Sequence, residues 1–279
     1  MTIYGMGRES LIAVIGVTGA GKTTFISKAT GRNDLEIGHG LDSCTREVQA
    51  VPFMLDGKMV TLIDTPGFDD SDLSDTAILQ LVAEYMVKMY HQNRLLSGLV
   101  LLQPIDQTRL QGSEVKRTRL FKKILGENAY KRVVIATTMW SQVQDTTIGE
   151  SRQTERERRD DVWGDMVSQG SQVVRHENTT ESALDIIRKL INHSTSVTLQ
   201  IQEELQGNGG KLDQTSAGRE INNDLEKQIK KLYNEIEYVR NERDATLQEL
   251  RELQDKLAEK EEEKANLKKP AVSLMTPQA

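Results

Sequence analysis

The stretch GVTGAGKTT at residues 16–24 constrains the fold of this chain more than any other feature. It follows a short apolar run, and its glycines allow a turn tight enough for backbone N–H groups to point inward at an anion. Gly16, Gly21, Lys22 and Thr23 match the complete Walker A pattern of a phosphate-binding loop. Lys22 would bridge the β- and γ-phosphate oxygens, and Thr23 would bind Mg²⁺ through its hydroxyl.

The whole loop and the start of the following helix are predicted to contact a nucleotide, because a helix N-terminus attracts phosphate. The predicted contacts from this loop are Gly16, Thr18, Gly19, Ala20, Gly21, Lys22, Thr23 and Thr24.

Strand-like and helix-like segments alternate over residues 8–206, which predicts one globular α/β domain with helices on both faces of its sheet. A turn sequence, LDGK at 55–58, makes the second strand an antiparallel edge. The predicted strands are LIAVIGV, TREVQAVPFML, KMVTLIDT, GLVLLQPI, KRVVIATT and SQVVRHE, and the predicted helices cover 22–31, 76–92, 111–126, 150–168 and 181–206.

Composition changes after residue 206, where a Gly-rich, polar linker is predicted over 207–218. A helix is predicted over 219–266, because apolar residues such as Leu225, Ile229 and Leu232 recur with alternating spacings of four and three. This rhythm predicts a coiled coil, and the alternative is a charged helix folded back on the domain. Residues 267–279 are predicted to be a disordered tail.

A second phosphate-site signal is TLIDTPGFDD, in which an apolar strand ends at Asp64 and is followed by Thr65, Pro66 and Gly67. Asp64 would hold Mg²⁺ through a water, and the Gly67 amide would hydrogen-bond the γ-phosphate. Thr45 is predicted to close over Mg²⁺ when the γ-phosphate is present.

The predicted metal ligands are therefore Thr23, Thr45 and Asp64, and the predicted catalytic residues are Lys22, Thr45 and Gly67. Ser43 is the nearest rival of Thr45, and His39 is more simply a solvated loop histidine than a catalytic one.

In their order along the chain, GVTGAGKTT, DSCT, DTPG and TTMW resemble the motifs of P-loop GTPases. The chain is most similar to the septin-like and immunity-associated branch and to fungal G-domain proteins with a helical tail. The resemblance implies a three-layer α/β P-loop NTPase G domain with a mostly parallel six-stranded sheet, followed by a C-terminal coiled-coil helix. It also implies GTP or GDP with Mg²⁺ as ligands, and association through G domains in the loaded state.

The base-recognition motif departs from this family, which places an aspartate where this chain has Ser141. Loss of a charged acceptor of two hydrogen bonds should weaken discrimination against adenine by about 1.5–3 kcal/mol. Met139 can lie over the base, and Asp145 could replace the acceptor if its loop curls back. Alternatively, Trp140 simply packs in the core. The predicted base contacts are Thr138, Met139, Ser141, His176 and Asn178.

Phe68 stands where many fast GTPases have a glutamine that orients the attacking water, and this predicts slow intrinsic hydrolysis. The predicted function is a Mg²⁺-dependent GTP switch whose hydrolysis increases on self-association or with a partner. Two alternatives stay open: a scaffold protein whose nucleotide is structural, and an ATP-using P-loop NTPase.

Composition narrows the remaining possibilities. A net charge of −6 gives no electrostatic case for nucleic acid, and four histidines with one cysteine are too few for a zinc site. The lone cysteine, Cys44, fits a reducing compartment, and no apolar run reaches the length of a membrane span. We therefore expect a cytoplasmic protein with a guanine nucleotide and either a homodimer or a coiled-coil partner.

Overall fold

The computed structural model describes residues 9–32, 48–68, 73–107, 112–192, 196–241 and 247–269. Its strands are β1 Ser10–Gly16, β2 Gln49–Leu55, β3 Lys58–Asp64, β4 Leu96–Pro104, β5 Val133–Thr138 and β6 Gln172–Arg175. Its helices are α1 Lys22–Thr30, α2 Asp75–His91, α3 Gly112–Leu125, α4 Thr146–Arg158, α5 Gly164–Ser168, α6 Thr180–Ile191, α7 Gln200–Gly207, α8 Ser216–Asn241 and α9 Leu247–Leu267.

The strands form one six-stranded sheet in the order β2-β3-β1-β4-β5-β6. All neighbouring pairs are parallel except β2 and β3, which are antiparallel. Asp56 and Gly57 link these two strands with positive φ angles of 50° and 75°, as a tight hairpin turn requires. The predicted mostly parallel sheet with one antiparallel edge strand is therefore confirmed.

Alternate residues of the central strand β1 face two different hydrophobic cores, because successive side chains of a strand point to opposite faces. Ile12 and Val14 pack with α1 and α6 on one face. Leu11, Ala13 and Ile15 belong to the larger core on the other face, which includes residues of α2 and α3. Three layers result, and the carboxyl ends of the parallel strands meet along one edge.

Two predicted helices are each divided in the structure. The segment predicted as 150–168 is α4 and α5, separated at Arg159, where the backbone leaves the helical region. The segment predicted as 181–206 is α6 and α7. Between them Val197 forms an antiparallel bridge with Leu96, its N–H donating to the Leu96 carbonyl at 2.8 Å.

The C-terminal segment is two helices where one was predicted over 219–266. α8 and α9 run antiparallel, with Lys264 Nζ 2.8 Å from Glu226 and the Tyr233 hydroxyl 2.8 Å from Glu261. The two helices therefore pair with each other within the chain, which is close to the folded-back alternative. Arg243 and Thr246, which interrupt those rows, lie outside the described residues.

This helical pair packs on α2 and α3 of the α/β domain. The Thr76 hydroxyl donates to the buried Glu263 carboxylate at 3.1 Å, and Lys116 pairs with Asp224 at 2.5 Å. Leu212, inside the predicted linker, is buried in the larger core together with Leu267. None of the helices in the described ranges combines the length and apolar composition that crossing a membrane requires.

A buried ion pair joins α3 to α4. The Arg156 guanidinium donates to both carboxylate oxygens of Glu114, at 2.7 and 2.9 Å, and both side chains are almost fully buried. Removing one partner of such a pair leaves a buried charge without compensation, whereas replacing both partners with apolar residues does not.

We therefore expect Glu114→Ala to lower the free energy of unfolding by about 3–5 kcal/mol in urea titrations followed by circular dichroism. The double variant Glu114→Leu/Arg156→Met should recover most of that loss. Asp161→Ala, which breaks the exposed pair with Arg159, is the matched control and should leave stability unchanged. Equal losses for the single and the double variant would contradict the explanation.

Candidate functional site

The loop between β1 and α1 lies at the carboxyl edge of the sheet. Gly19 and Gly21 have left-handed φ angles of 76° and 90°, which L side chains rarely adopt. A Cβ on Gly16 would lie 2.6 Å from the Leu102 carbonyl oxygen of the neighbouring strand. The glycines of the predicted motif are therefore required by backbone conformation at two positions and by close packing at a third.

Lys22 lies within this loop and is only 7% exposed. Its ammonium donates to the carbonyls of Val17 at 3.0 Å and Gly16 at 3.3 Å. A buried ammonium at the first residue of a helix that follows a tight glycine loop suits a phosphate group. The structure places Lys22 where the sequence predicts a phosphate ligand.

Thr23 and Asp64 form the part of the site that suits a divalent cation. The Thr23 hydroxyl donates to Asp64 Oδ2 at 2.8 Å. Asp64 is 3% exposed, and its Oδ1 is buried without a hydrogen-bond partner. Burial raises the pKa of Asp64, while the Thr23 hydroxyl and the charge of Lys22 act in the opposite direction.

A hard cation such as Mg²⁺ prefers oxygen ligands of this kind, and it would satisfy the orphan carboxylate oxygen directly or through water. These two residues therefore fit a bound Mg²⁺. Within the described residues there is no other cluster of His, Cys, Asp or Glu that could hold a metal.

The segment after β3 closes on the loop from the other side. The Thr18 N–H donates to the Phe68 carbonyl at 3.0 Å, and the Thr18 hydroxyl donates to the Gly67 carbonyl at 3.2 Å. A Cβ on Gly67 would lie 2.5 Å from the Thr18 nitrogen, so no larger residue fits. The structure thus brings Gly67 to the loop, as its predicted role requires.

Phe68 points away from this edge into the larger core. Its side chain is fully buried, and its ring packs edge-on against Phe121 with centroids 5.3 Å apart. An apolar side chain in this position offers no group that could orient a water.

Beside the loop lies a cavity of about 450 Å³, within the size range of ligand pockets. It is formed by the loop and by the segments that follow β5 and β6. The Thr138 hydroxyl holds two of these segments together by donating to the Ala20 carbonyl at 3.1 Å. The lining residues are Ala20, Gly21, Thr24, Thr138, Met139, Trp140, Ser141, Arg175, His176, Glu177 and Asn178.

Two residues of this cavity have strained backbones. Met139 and Asn178 adopt left-handed φ angles of 62° and 57°. Such conformations are uncommon away from glycine and concentrate at functional sites. Asp56 and Asn93 share this conformation in turns elsewhere in the described residues, and Met139 and Asn178 are the two that line the cavity.

The segment after β5 differs in part from the prediction. Trp140 is buried, as the alternative expectation has it, and it also lines the cavity. Ser141 is exposed at the cavity. Asp145 instead caps α4, accepting a hydrogen bond from the Thr147 N–H at 2.9 Å, which lowers the pKa of Asp145. The expectation that Asp145 replaces the missing base acceptor therefore has no support.

His176 is almost fully buried between the cavity and α6. Its Nδ1 lies 2.8 Å from the Ser182 hydroxyl, and its ring packs edge-on against Phe25 at 5.1 Å. Burial lowers the pKa of His176 to about 4. The imidazole is therefore neutral near pH 7.

Glu177 is a cavity residue that the sequence prediction missed. Its carboxylate lies 2.5 Å from Arg175 Nε, and its side chain is half exposed. Among the described residues that line the cavity, Glu177 is the only one with a carboxylate. The sequence did contain a signal for it, because Glu177 is an acidic residue directly between the two predicted base contacts His176 and Asn178.

Three loop residues of the prediction, His39, Ser43 and Thr45, lie outside the described residues.

Comparison with known proteins defines the fold. Residues 11–139 match the family described as 50S ribosome-binding GTPase. The structure is similar to that of Toc33 from Arabidopsis thaliana, which was solved in complex with Mg²⁺ and GMPPNP. The TM-score is 0.55 at 15% sequence identity, and the match covers 68% of this chain and 88% of that structure. The domain has the P-loop GTPase fold.

Other matches agree with this G domain. Toc33 in complex with GDP and Mg²⁺ gives a TM-score of 0.54 at 15% identity, covering 69% of this chain and 88% of that structure. GTP-binding protein A of Dictyostelium discoideum is 23% identical over 138 residues, or 49% of this chain and 29% of the relative. GTPase Der of Aromatoleum aromaticum is 39% identical over 61 residues, or 22% of this chain and 14% of the relative. The chain spans less than a third of either curated relative.

The buried, neutral His176 makes stability depend on pH. Unfolded histidine binds a proton below its ordinary pKa of 6.5, whereas His176 in the folded protein does so only near 4. The unfolded state therefore gains protons first as the pH falls. We expect about 2 kcal/mol of unfolding free energy to be lost between pH 7.5 and 5.

His176→Gln should remove most of that pH dependence in urea titrations at the two pH values. His91→Gln, at an exposed position at the end of α2, is the control and should behave like the unchanged protein. A variant at position 176 that keeps the full pH dependence would show that another group is responsible.

Proposed function

We propose that this protein binds GTP and GDP with Mg²⁺ and acts as a nucleotide switch with slow intrinsic hydrolysis. The observation that carries the proposal is the joint placement of Lys22, Thr23, Asp64 and Gly67 around one loop beside a cavity of about 450 Å³. A relative named GTP-binding protein A and structures of Toc33 with GMPPNP or GDP support the choice of guanine nucleotide.

In this proposal, Thr23 and Asp64 hold Mg²⁺ and Lys22 holds the phosphates. Bound Mg²⁺ would neutralise part of the negative charge of the phosphates. The loop amides would fix the position of the phosphates, and the Gly67 N–H would hydrogen-bond the terminal one. Thr45 remains a predicted third ligand of the metal.

We assign the recognition of guanine to Glu177. Guanine presents two adjacent N–H donors, at N1 and at its exocyclic amine, and a carboxylate can accept both. Ser141 can accept only one weaker bond. Hydrogen bonds to a charged acceptor contribute about 1.5–3 kcal/mol each, enough to restore the discrimination that Ser141 lacks.

This assignment predicts a guanine preference that depends on Glu177. In competition against a fluorescent GDP analogue with Mg²⁺, GDP should bind at least about tenfold more tightly than ADP, and Glu177→Gln should reduce that ratio by about tenfold or more. Ser141→Ala is the matched control and should keep the preference. Lys22→Ala should lose both nucleotides. Equal affinities for GDP and ADP in the unchanged protein would favour the ATP-using alternative.

The slow rate and its coupling to self-association rest on the buried Phe68, since this position cannot supply a polar group to the reaction. Dimerisation is important for the GTPase activity of the chloroplast translocon components atToc33 and psToc159. The structure that reports this matches the present one with a TM-score of 0.54 at 13% identity, over 68% of this chain and 86% of that structure. We propose that a second copy or another partner raises hydrolysis in this protein too. The coiled-coil contact and the septin-like or fungal branch remain predictions.

The rate of GTP hydrolysis per molecule should therefore rise with protein concentration. Phosphate release measured from nanomolar to high-micromolar protein, alongside sedimentation of the same samples, tests this. A fast rate that is independent of concentration would contradict the proposal. A protein that binds GTP but releases no phosphate at any concentration would instead be the scaffold with a structural nucleotide.

A further inference from the structure

We propose that Arg175 is a positioning residue that holds the Glu177 carboxylate at the base cavity, and that Trp140 in turn holds Arg175. The inference rests on the proposed function, because it explains how a guanine-binding site works without the usual aspartate. It concerns an ordered chain of contacts from the core to the cavity: Gly149, Trp140, Arg175 and Glu177.

Trp140 is the fixed end of this chain. Its indole N–H donates to the Thr137 carbonyl at 3.1 Å and to the Thr137 hydroxyl at 3.0 Å. A Cβ on Gly149 of α4 would lie 2.5 Å from the six-membered ring of the indole, so α4 packs directly against that ring. With 8% of its surface exposed, the indole has no freedom to turn.

Arg175 lies over the indole ring of Trp140. It is the last residue of β6 and lies opposite Thr137 of β5 in the sheet register. Its guanidinium carbon is 4.1 Å from the centroid of the Trp140 ring, which is close range for a cation–π contact. The strand fixes the backbone of Arg175, and the indole fixes its guanidinium.

The orientation of the Glu177 side chain depends on Arg175. Its side chain is half exposed, and a glutamate at such a position samples several rotamers in water. Arg175 Nε lies 2.5 Å from Glu177 Oε1 in an ion pair, although the geometry of this contact is not that of a hydrogen bond. An exposed ion pair contributes little when both partners are mobile, but here the cation is already held by its stack.

The geometry leaves the carboxylate able to recognise a base. A carboxylate has about four acceptor positions, so one contact with Arg175 still allows it to receive the two N–H groups of guanine. Pre-orienting that acceptor removes the loss of rotamer freedom on binding. Arg175 therefore acts on specificity for the base and not on the affinity for phosphates, which bind to the Lys22 loop.

The test compares GDP with IDP, which lacks the exocyclic amine but carries the same phosphates. Affinities are measured by competition with a fluorescent GDP analogue in Mg²⁺ on the full chain. The unchanged protein should prefer GDP by about tenfold or more. Arg175→Ala should bring the GDP-to-IDP ratio to within about threefold of one, with GDP affinity falling more than IDP affinity because IDP keeps the N1–H and lacks only the amine.

Three further variants define the mechanism. Trp140→Phe keeps a ring but loses the bonds to Thr137, and should give an intermediate ratio. Arg175→Met keeps the length of the side chain for packing without charge, and should behave like Arg175→Ala even if the alanine variant folds poorly. Arg188→Ala, which removes an exposed guanidinium paired with Asp56 on the far side of α6, should keep the full ratio.

The outcomes separate this inference from the proposed function. Full GDP preference in Arg175→Met overturns the positioning role and leaves guanine binding intact. An equal fall in GDP and IDP affinity also overturns it, because that result indicates general damage to the site. A ratio of one in the unchanged protein, with GDP no better than ADP, overturns the proposed guanine specificity itself.

Discussion

The structure depends most on the close packing of the Lys22 loop between two backbone segments. Gly16 approaches the Leu102 carbonyl, and Gly67 approaches Thr18, at distances that leave no room for a Cβ. These contacts fix a buried ammonium and a buried carboxylate, Lys22 and Asp64, at one edge of the sheet. A buried ammonium and a buried carboxylate next to the glycine loop are groups that suit a phosphate and a divalent cation.

The base cavity is held by a different kind of interaction. Its residues follow β5 and β6, and a chain of buried contacts stabilises it from behind: Trp140 bonded to Thr137, and His176 bonded to Ser182. Met139 and Asn178 both adopt left-handed backbone conformations at this cavity. In the function that we propose, the charge that recognises the base comes from Glu177 in place of an aspartate after β5.

The helical pair α8 and α9 is continuous with the larger core and not a separate appendage. Ile221, Leu225 and Leu267 are buried in the core that also holds Phe68 and Phe121. The segment that follows Gly67 and the C-terminal helices therefore share one packed interior. Thr76 of α2 is hydrogen-bonded to Glu263 of α9 within it.

Local patterns in the sequence determined the alternation of strands and helices, the hairpin turn at Asp56 and Gly57, and the phosphate loop. Each of these depends on neighbouring residues: the period of side-chain burial, the φ angles open to glycine, and the spacing of a contiguous motif. Only the tertiary structure decided that Glu177 shares a cavity with Ser141, that Asp145 caps a helix, and that one predicted helix is two that pair with each other. Those outcomes depend on which distant segments pack together, and the heptad rhythm is satisfied equally well by another chain or by its own antiparallel partner.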